Sequence, residues 1–591
     1  MSRKVKLDFV PSEYQQKIFD WVQHGVGNAV IQAFAGCAKT TTAVASMKFI
    51  PKDQKCLFIA FNKSIADELN ERLKKRSNCT ARTTHSLGFL IIRRNLGSNI
   101  EVDEYKYRNY VKQNILELTT TQGEIKTRKQ ILDYIDNITK LINYSRFYLA
   151  QSEKEINAVA QKYDIPVSFD ECVVVQKCLK WGKENYETID YTDMIWLPVE
   201  LSLKPIGCTY DWVFYDEIQD ANLCSIELFK KCIKRGGRFV GTGDFFQMIY
   251  SFAGSSEDAF NIIKNMPNTT LFELPVTYRC SKNIIDLANT FVHDMHPRDN
   301  APDGLIVDNC HIRDIKEGDM VLCRSRAPLM TLYNKLIRKN INCYIKGQDI
   351  GANLIRELES VDKEELGTSL LSDGVFVRLF DKLFNERNKL MQTRGLDFDD
   401  ATLSSHIIEK FDAINAMLII AERCKNKQEL INRIKTIFKE NSDGVCLSTI
   451  HKAKGLESEN VYILCHSSMP SKLAVKDWEK TQEKNLMYVA YTRAKNKLGF
   501  ISEKEIKSTG ALQDPMLILN EMVYIESCVC NVLGKTPTER ITNMDVLKMK
   551  LQYMTKIDED THKNDNVISL NNNNKNNIII ENDLLSELEN I

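Results

Sequence analysis

Near the amino end, Ala33-Phe34-Ala35-Gly36-Cys37-Ala38-Lys39-Thr40-Thr41 lies between a β-rich run, Asn28–Phe34, and a helical pattern, TTAVASMKF. A strand, a small-residue loop and a helix N-terminus turn consecutive backbone N–H groups, and the positive end of the helix dipole, toward an anion. In such a cradle Lys39 would reach the β- and γ-phosphates of a nucleotide, and the Thr40 hydroxyl would coordinate Mg²⁺. Both glycines of the general GxxxxGK[ST] pattern are alanine here, at Ala33 and Ala38. Ala38 is therefore expected at negative φ, as on entering a helix. An ordinary strand–turn–helix corner is the competing reading of the loop alone.

A second run, Trp212–Tyr215, ends in Asp216-Glu217-Ile218-Gln219-Asp220. Two adjacent acids thus stand at the carboxyl end of a strand, where parallel sheets bind their ligands. Asp216 can hold Mg²⁺ through water, and Glu217 can orient and deprotonate an attacking water. Acids after a strand are commonly helix N-caps. Together with the loop at Lys39, however, they point to nucleotide hydrolysis.

The elements that must position these groups follow an α/β rhythm. Short β-rich runs recur at Asn28–Phe34, Cys56–Ala60, Trp212–Tyr215, Arg238–Gly241 and Leu271–Leu274, and a second set at Met320–Cys323, Val445–Thr449, Asn460–Leu464 and Lys497–Ile501. Helical patterns follow them, which predicts two α/β domains with parallel sheets. Two mainly helical stretches, Arg93–Trp181 and roughly Gly351–Glu440, interrupt the sets and read as insertions, with apolar residues such as Ile131, Tyr134, Ile135 and Ile138 at helical spacing. From Asp558 onward the chain is polar and asparagine-rich, a composition expected to stay disordered. Its last residues, IIIENDLLSELENI, could form a partner-docking helix.

Composition limits the alternatives. The 591 residues carry 79 Lys+Arg against 79 Asp+Glu, so any phosphate-binding surface must be a local basic stripe. No stretch approaches the roughly 18 apolar residues of a membrane span, and the first residues lack a signal-peptide core. The 17 cysteines include no CxxC pair. They read as reduced, mostly buried thiols in an intracellular compartment: cytoplasm or nucleoid, nucleus, or a viral replication site.

Ten segments in order, SEYQQ, AFAGCAKT, IAFNKSIADEL, TTHSLG, DYTDM, VFYDEIQD, GDFFQMIYSFAG, LPVTYRC, TIHKAKGLE and LMYVAYTRAK, resemble the motifs of the UvrD/Rep-type superfamily 1 DNA helicases, from about Pro11 to about Leu498. The resemblance implies two RecA-like domains: residues 1–92 and 182–278 with a helical insertion at 93–181, then 279–350 and 441–545 with a short insertion at 351–440, and a tail at 546–591. It implies that Gln15 reads the adenine edge, Tyr278 stacks on the base, Gln247 senses the γ-phosphate and Glu457 meets the ribose. By the same resemblance Arg279 and Arg493 reach the γ-phosphate, a role suited to an always-charged planar fork of donors. ATP would bind between the domains and its hydrolysis would move them.

Phe61, Asn62, Thr84, His85, Tyr250, Phe252, Thr449 and His451 stand at positions that line the single-strand groove in that family. Aromatics there can stack on bases of any sequence. Core burial is the competing reading for Phe61 and Phe252, and a structural role for His85 and His451. The chain departs from the family at Phe252, commonly Trp, and at Ala253, commonly Arg, which bears on duplex engagement more than on hydrolysis. The resemblance implies an ATP-dependent helicase that moves 3′ to 5′ on single-stranded DNA and engages single/double-strand junctions. An RNA helicase, a protein-stripping translocase and an interaction protein acting through its tail are the alternatives.

Overall fold

The computed structural model describes residues 7–74, 76–114, 128–250, 257–361, 375–421, 424, 426–438, 444–506 and 515–533. Phe252, Ala253 and the tail at 546–591 lie outside the described residues. The chain clusters into two compact units, Met1–Met522 and Val523–Ile591. In the second, the described part is the end of the helix Pro515–Leu533.

The first unit is mixed α/β and contains two six-stranded parallel sheets. In the first, β1 (Asn28–Ala33), β2 (Cys56–Ala60), β3 (Cys79–Thr83), β4 (Tyr210–Asp216), β5 (Ile233–Gly243) and β6 (Thr269–Leu274) take the order β3-β2-β4-β5-β1-β6. Every β2 residue is buried, as befits a parallel strand covered on both faces. Successive side chains go to opposite sides. Phe58 and Phe214 join an apolar cluster that reaches Leu322 of the second sheet, whereas Leu57, Ile59 and Val213 join one shared with the helices between β3 and β4.

The second sheet comprises β7 (Leu305–Cys310), β8 (Met320–Cys323), β9 (Cys343–Ile345), β10 (Val445–Thr449), β11 (Ser458–Leu464) and β12 (Ala494–Ile501), in the order β7-β12-β11-β8-β10-β9. The expected runs all fall within strands, except that Phe34 of the first lies just past the end of β1. Within these two sheets three strands had not been expected from the sequence, β3, β7 and β9.

Register positions the site. Gln32 of β1 pairs with Gly243 of β5, and Thr242 of β5 with Asp216 of β4, so three carboxyl ends finish level with one another. Loops leaving those ends share one edge of the sheet, the ligand-binding edge of this architecture.

Between β3 and β4 the described residues are mainly helical, with one two-stranded parallel sheet of Glu101–Val102 and Thr188–Ile189, and the DYTDM segment organises that region. Asp190 caps the helix Tyr191–Glu200, and Asp193 returns the bond to the Asp190 backbone N–H. Both acids also hold fully buried Arg146: NH1 donates to Asp190 Oδ1 and to Asp193 Oδ1 at 2.7 Å each, and NH2 to Asp190 Oδ2 at 2.6 Å. Lys106 Nζ adds a bond to Asp193 Oδ2 at 2.8 Å. Helices between β9 and β10 meet this region through polar contacts, including Lys389 Nζ to Glu171 Oε1 at 3.1 Å and Arg394 NH1 to Asn157 Oδ1 at 2.8 Å.

None of the 17 cysteines forms a disulfide, and all but Cys424 and Cys528 are buried. Among the described residues no helix is long and apolar enough to cross a membrane.

Arg146→Met removes the cation from two buried carboxylates and is expected to destabilise the protein by about 3–5 kcal/mol. Denaturant unfolding of the variant beside the unmodified chain measures it.

Candidate functional site

A cleft of about 650 Å³ opens where the carboxyl edge of the first sheet meets the second. Phe34, Gly36, Cys37, Ala38, Lys39, Thr40 and Thr41 line one wall, with Glu217 and Gln247 beside them. Tyr278, Arg279, Glu457 and Arg493 line the other. Residues from segments more than 450 positions apart in sequence are thus brought to one space. Gln15, Ala33, Ala35 and Asp216 are not in the lining. Gln15 is 3% exposed, accepts from the Ser12 backbone N–H at 3.0 Å and donates to Thr42 Oγ1 at 2.9 Å.

The loop follows β1 and opens the helix Lys39–Met47. Ala38 sits at φ 57°, ψ 39°, not at the negative φ expected from the sequence. Alanine thus takes the left-handed region immediately before the helix, at a cost of about 1–2 kcal/mol. Gly36, at φ 74°, has a different constraint: a Cβ there would lie 2.5 Å from Arg279 Cβ and 2.6 Å from Thr277 Oγ1. The loop and the segment after β6 are also tied by Tyr278 N–H to Gly36 O at 2.9 Å and Thr277 Oγ1 to Ala35 O at 2.8 Å.

Behind the loop, Asp216 is held by three donors. Thr40 Oγ1 donates to Oδ2 at 2.5 Å, while Thr242 Oγ1 and the Glu217 backbone N–H donate to Oδ1 at 2.7 and 3.1 Å. Burial, with the neighbouring Glu217 charge, raises the Asp216 pKa; the two threonine hydroxyls and Lys39 oppose that rise. Glu217 occupies the left-handed region at φ 55°, which ends the strand sharply and starts a short 3₁₀ turn, Ile218–Asp220.

Lys39 Nζ lies 3.7 Å from Glu217 Oε1. Burial works against the ionised Glu217, yet Lys39, then Lys454, the Gln219 amide and Arg493 outweigh it and pull the carboxyl down to about 2. Burial likewise disfavours the Lys39 cation, but Glu217, Asp244 and Asp216 together raise it. Burial and the nearby Arg279 push Arg493 down to about 10, so it stays charged near neutrality. Arg493 is oriented by carbonyls, Nε to Val489 O at 2.9 Å and NH1 to Leu456 O at 3.1 Å. Arg279 Nε donates to Glu457 Oε2 at 2.6 Å.

A polar bridge leads from the cleft to an aromatic surface. Lys454 Nζ donates to Asp220 Oδ2 at 2.5 Å and to the Gln247 carbonyl at 2.9 Å, and lies 5.1 Å above the Tyr250 ring. Tyr250 stacks on Phe61 with centroids 6.4 Å apart and donates through its hydroxyl to His451 O at 2.9 Å. Phe61 is 52% exposed, which excludes core burial. Asn62 caps the helix Lys63–Leu73 by accepting from the Ile65 N–H. Thr84 Oγ1 is 3.3 Å from Tyr215 Oη, His85 is exposed, and Thr449 is buried at the end of β10. Burial, with Arg324, Arg326 and Lys452, holds the His451 pKa well below the usual histidine range.

Several residues of the site had not been singled out from the sequence. Asp244, Lys454, Tyr488 and Lys495 sit inside quoted motifs, so the signal was present but unassigned. Arg298, which also lines the cleft, carries no motif signal. Among the described residues no group of three or more His, Cys, Asp or Glu side chains could hold a metal ion.

The chain is similar in sequence to known proteins. The description "UvrD/REP helicase N-terminal domain" matches residues 14–268, and "UvrD-like helicase C-terminal domain" matches residues 374–505. The chain is 23% identical over 313 residues to a probable DNA helicase II homolog of Mycoplasma pneumoniae, covering 47% of this chain and 42% of that protein. It is 27% identical over 315 residues to the ATP-dependent DNA helicase PcrA of Leuconostoc citreum, covering 49% and 40%. To the ATP-dependent DNA helicase Rep of Buchnera aphidicola it is 21% identical over 611 residues, covering 80% and 92%. The match thus spans about two fifths of the first two relatives' length and most of the third's.

Ala38→Gly is expected to keep or raise the melting temperature, within about 2 °C, because glycine relieves the left-handed strain but adds unfolded-state entropy. Ala38→Val, which places a β-branched side chain at positive φ, is expected to cost about 2 kcal/mol. Parallel thermal melts compare the two.

Proposed function

This chain belongs to the UvrD/REP helicase family, and on that premise we propose that it is an ATP-driven motor that moves along single-stranded DNA and separates duplexes. The observation that carries the reading is the shared cleft, which gathers Lys39, Thr40, Glu217 and Gln247 from the first sheet with Arg279 and Arg493 from the second. A nucleotide between them would be hydrolysed only when both walls are close, so turnover would open and close the cleft. Movement 3′ to 5′, and action at single/double-strand junctions, rest on family membership.

The ion pair between Lys39 and Glu217 gives the chemistry an order. Phosphate oxygens entering the loop would compete with Glu217 for Lys39, because each phosphate contact is a charge-assisted hydrogen bond. As the lysine turns to phosphate, Glu217 loses the strongest influence holding its pKa down, and its proton affinity rises next to the attacking water. Arg493 and Arg279 stand ready to stabilise charge spreading over the transferred phosphoryl oxygens.

Thr40 Oγ1 and Asp216 Oδ2, 2.5 Å apart beside the loop, are hard oxygen donors of the kind that suit Mg²⁺ together with phosphate oxygens. When bound there, Mg²⁺ would neutralise charge on the β- and γ-phosphates. Thr242 keeps Asp216 turned toward that position.

The exposed Phe61 and its partner Tyr250 offer stacking surface to bases of any sequence, worth about 1–3 kcal/mol per base. Lys454 joins that surface to the carbonyl of Gln247, which gives nucleic acid a physical route to the hydrolytic groups. The tail at 546–591 is proposed as a protein-docking segment separate from the motor.

Steady-state ATP hydrolysis without polynucleotide, with single-stranded DNA and with single-stranded RNA tests the reading, with Lys39→Ala as the contamination control. Stimulation by DNA is expected, and stimulation by RNA alone would move the substrate class. Glu217→Gln is expected to bind nucleotide normally while its turnover falls at least ~100-fold, as removal of a general base does. Deleting residues 558–591 is expected to leave stimulated hydrolysis unchanged.

A further inference from the structure

Tyr488 is fully buried near the end of the helix Asp477–Tyr491, five residues before Arg493. Its hydroxyl accepts from the Ala35 backbone N–H at 2.8 Å and donates to Asp244 Oδ2 at 3.0 Å. Ala35 belongs to the phosphate loop, so one phenol oxygen from the second half of the chain is bonded directly to the loop of the first.

Asp244 passes that contact on. Its Oδ2 also accepts from Gln247 Nε2 at 2.8 Å, and its backbone N–H donates to Gln219 Oε1 at 3.0 Å. Gln219 Nε2 in turn donates to Glu217 Oε2. An unbroken series of hydrogen bonds therefore runs from the phosphate loop, through Tyr488 and Asp244, to Gln247 and to Glu217. Burial and the Asp244 charge hold the Tyr488 pKa well above its ordinary value, so the phenol remains a donor throughout the working pH range.

We propose that Tyr488 is a positioning residue for ATP hydrolysis: its hydroxyl fixes the phosphate loop, Gln247 and Glu217 relative to the helix that leads into Arg493. The proposal rests on the ATP-hydrolysis reading above. Closure of the second sheet carries Tyr488 and Arg493 together, so the hydroxyl aligns the attacking-water side of the site as the arginine arrives on the phosphate side. A phenol serves because it accepts and donates at once. Phenylalanine would keep the edge-on packing against Phe246, at 6.1 Å and 65°, while leaving a buried N–H without its partner and Asp244 one donor short.

A tyrosine that only filled space and satisfied its own hydroxyl would show up in stability rather than in the chemical step. The test is therefore ATP hydrolysis by full-length Tyr488→Phe, in steady state and single turnover with single-stranded DNA, beside its melting temperature. The expected result is a kcat at least ~10-fold lower with KM for ATP within about threefold, because Tyr488 does not itself line the cleft. Gln247→Ala combined with Tyr488→Phe should lose no more than about twofold beyond Gln247→Ala alone, as residues acting through one network are not additive. Full additivity, or a variant kcat within twofold of an active unmodified protein, overturns the proposal while the ATP-hydrolysis reading stands. A variant that loses activity only through a lowered melting temperature overturns it as well. Absence of turnover in the unmodified protein overturns both.

Discussion

Asp216 is the buried carboxylate that ties together the loop helix and the strands behind the cleft. It lies at the end of β4, almost fully buried, and takes hydrogen bonds from Thr40 at the start of the first loop helix and from Thr242 on the neighbouring strand. Those two hydroxyls reach it only because parallel register brings β1, β5 and β4 to an end at the same level. A one-residue slip in any of these ladders would turn alternate side chains to the opposite face and separate the three groups. Burial makes the ionised carboxylate expensive, and the donors around it are what make it tolerable.

The electrostatics of the cleft are those of a site prepared for a polyanion. Lys39, Arg279, Arg493 and Lys495 converge on it, and the acids among them are engaged by these same cations: Glu217 by Lys39, Glu457 by Arg279 and Lys495. A phosphate chain would exchange one set of ion pairs for another instead of meeting bare charge, which limits the desolvation cost of assembling so many like charges. Lys454, bonded across to Asp220 and to the Gln247 carbonyl, extends the same economy toward the aromatic surface.

Much of this was legible because strand, loop and carboxylate signals are local. Buried runs such as Cys56–Ala60 are continuous and apolar, and Asp216-Glu217 directly follow one. The missed strands lack that signature: Cys79–Thr83 is largely polar, and Cys343–Ile345 has three residues. Ala38 defied the sequence because its left-handed conformation belongs to the turn from loop to helix, and a methyl side chain carries no signal of it. Tyr488 was hidden for the opposite reason. In Leu486-Met487-Tyr488-Val489-Ala490 it reads as one more core residue, and its hydroxyl gains meaning only against Ala35, 453 positions away.

Gly36 carries a consequence for how the two halves can evolve and move. The closest approach of the loop to Arg279 is set by a side chain that does not exist, since even a methyl group would stand within 2.5 Å of the arginine Cβ. Any substitution would act as a wedge against Thr277 and Arg279, and would strain the loop itself at φ 74°. A chain altered in this way would be a catch that cannot latch, its loop kept from the distance at which it now meets Arg279.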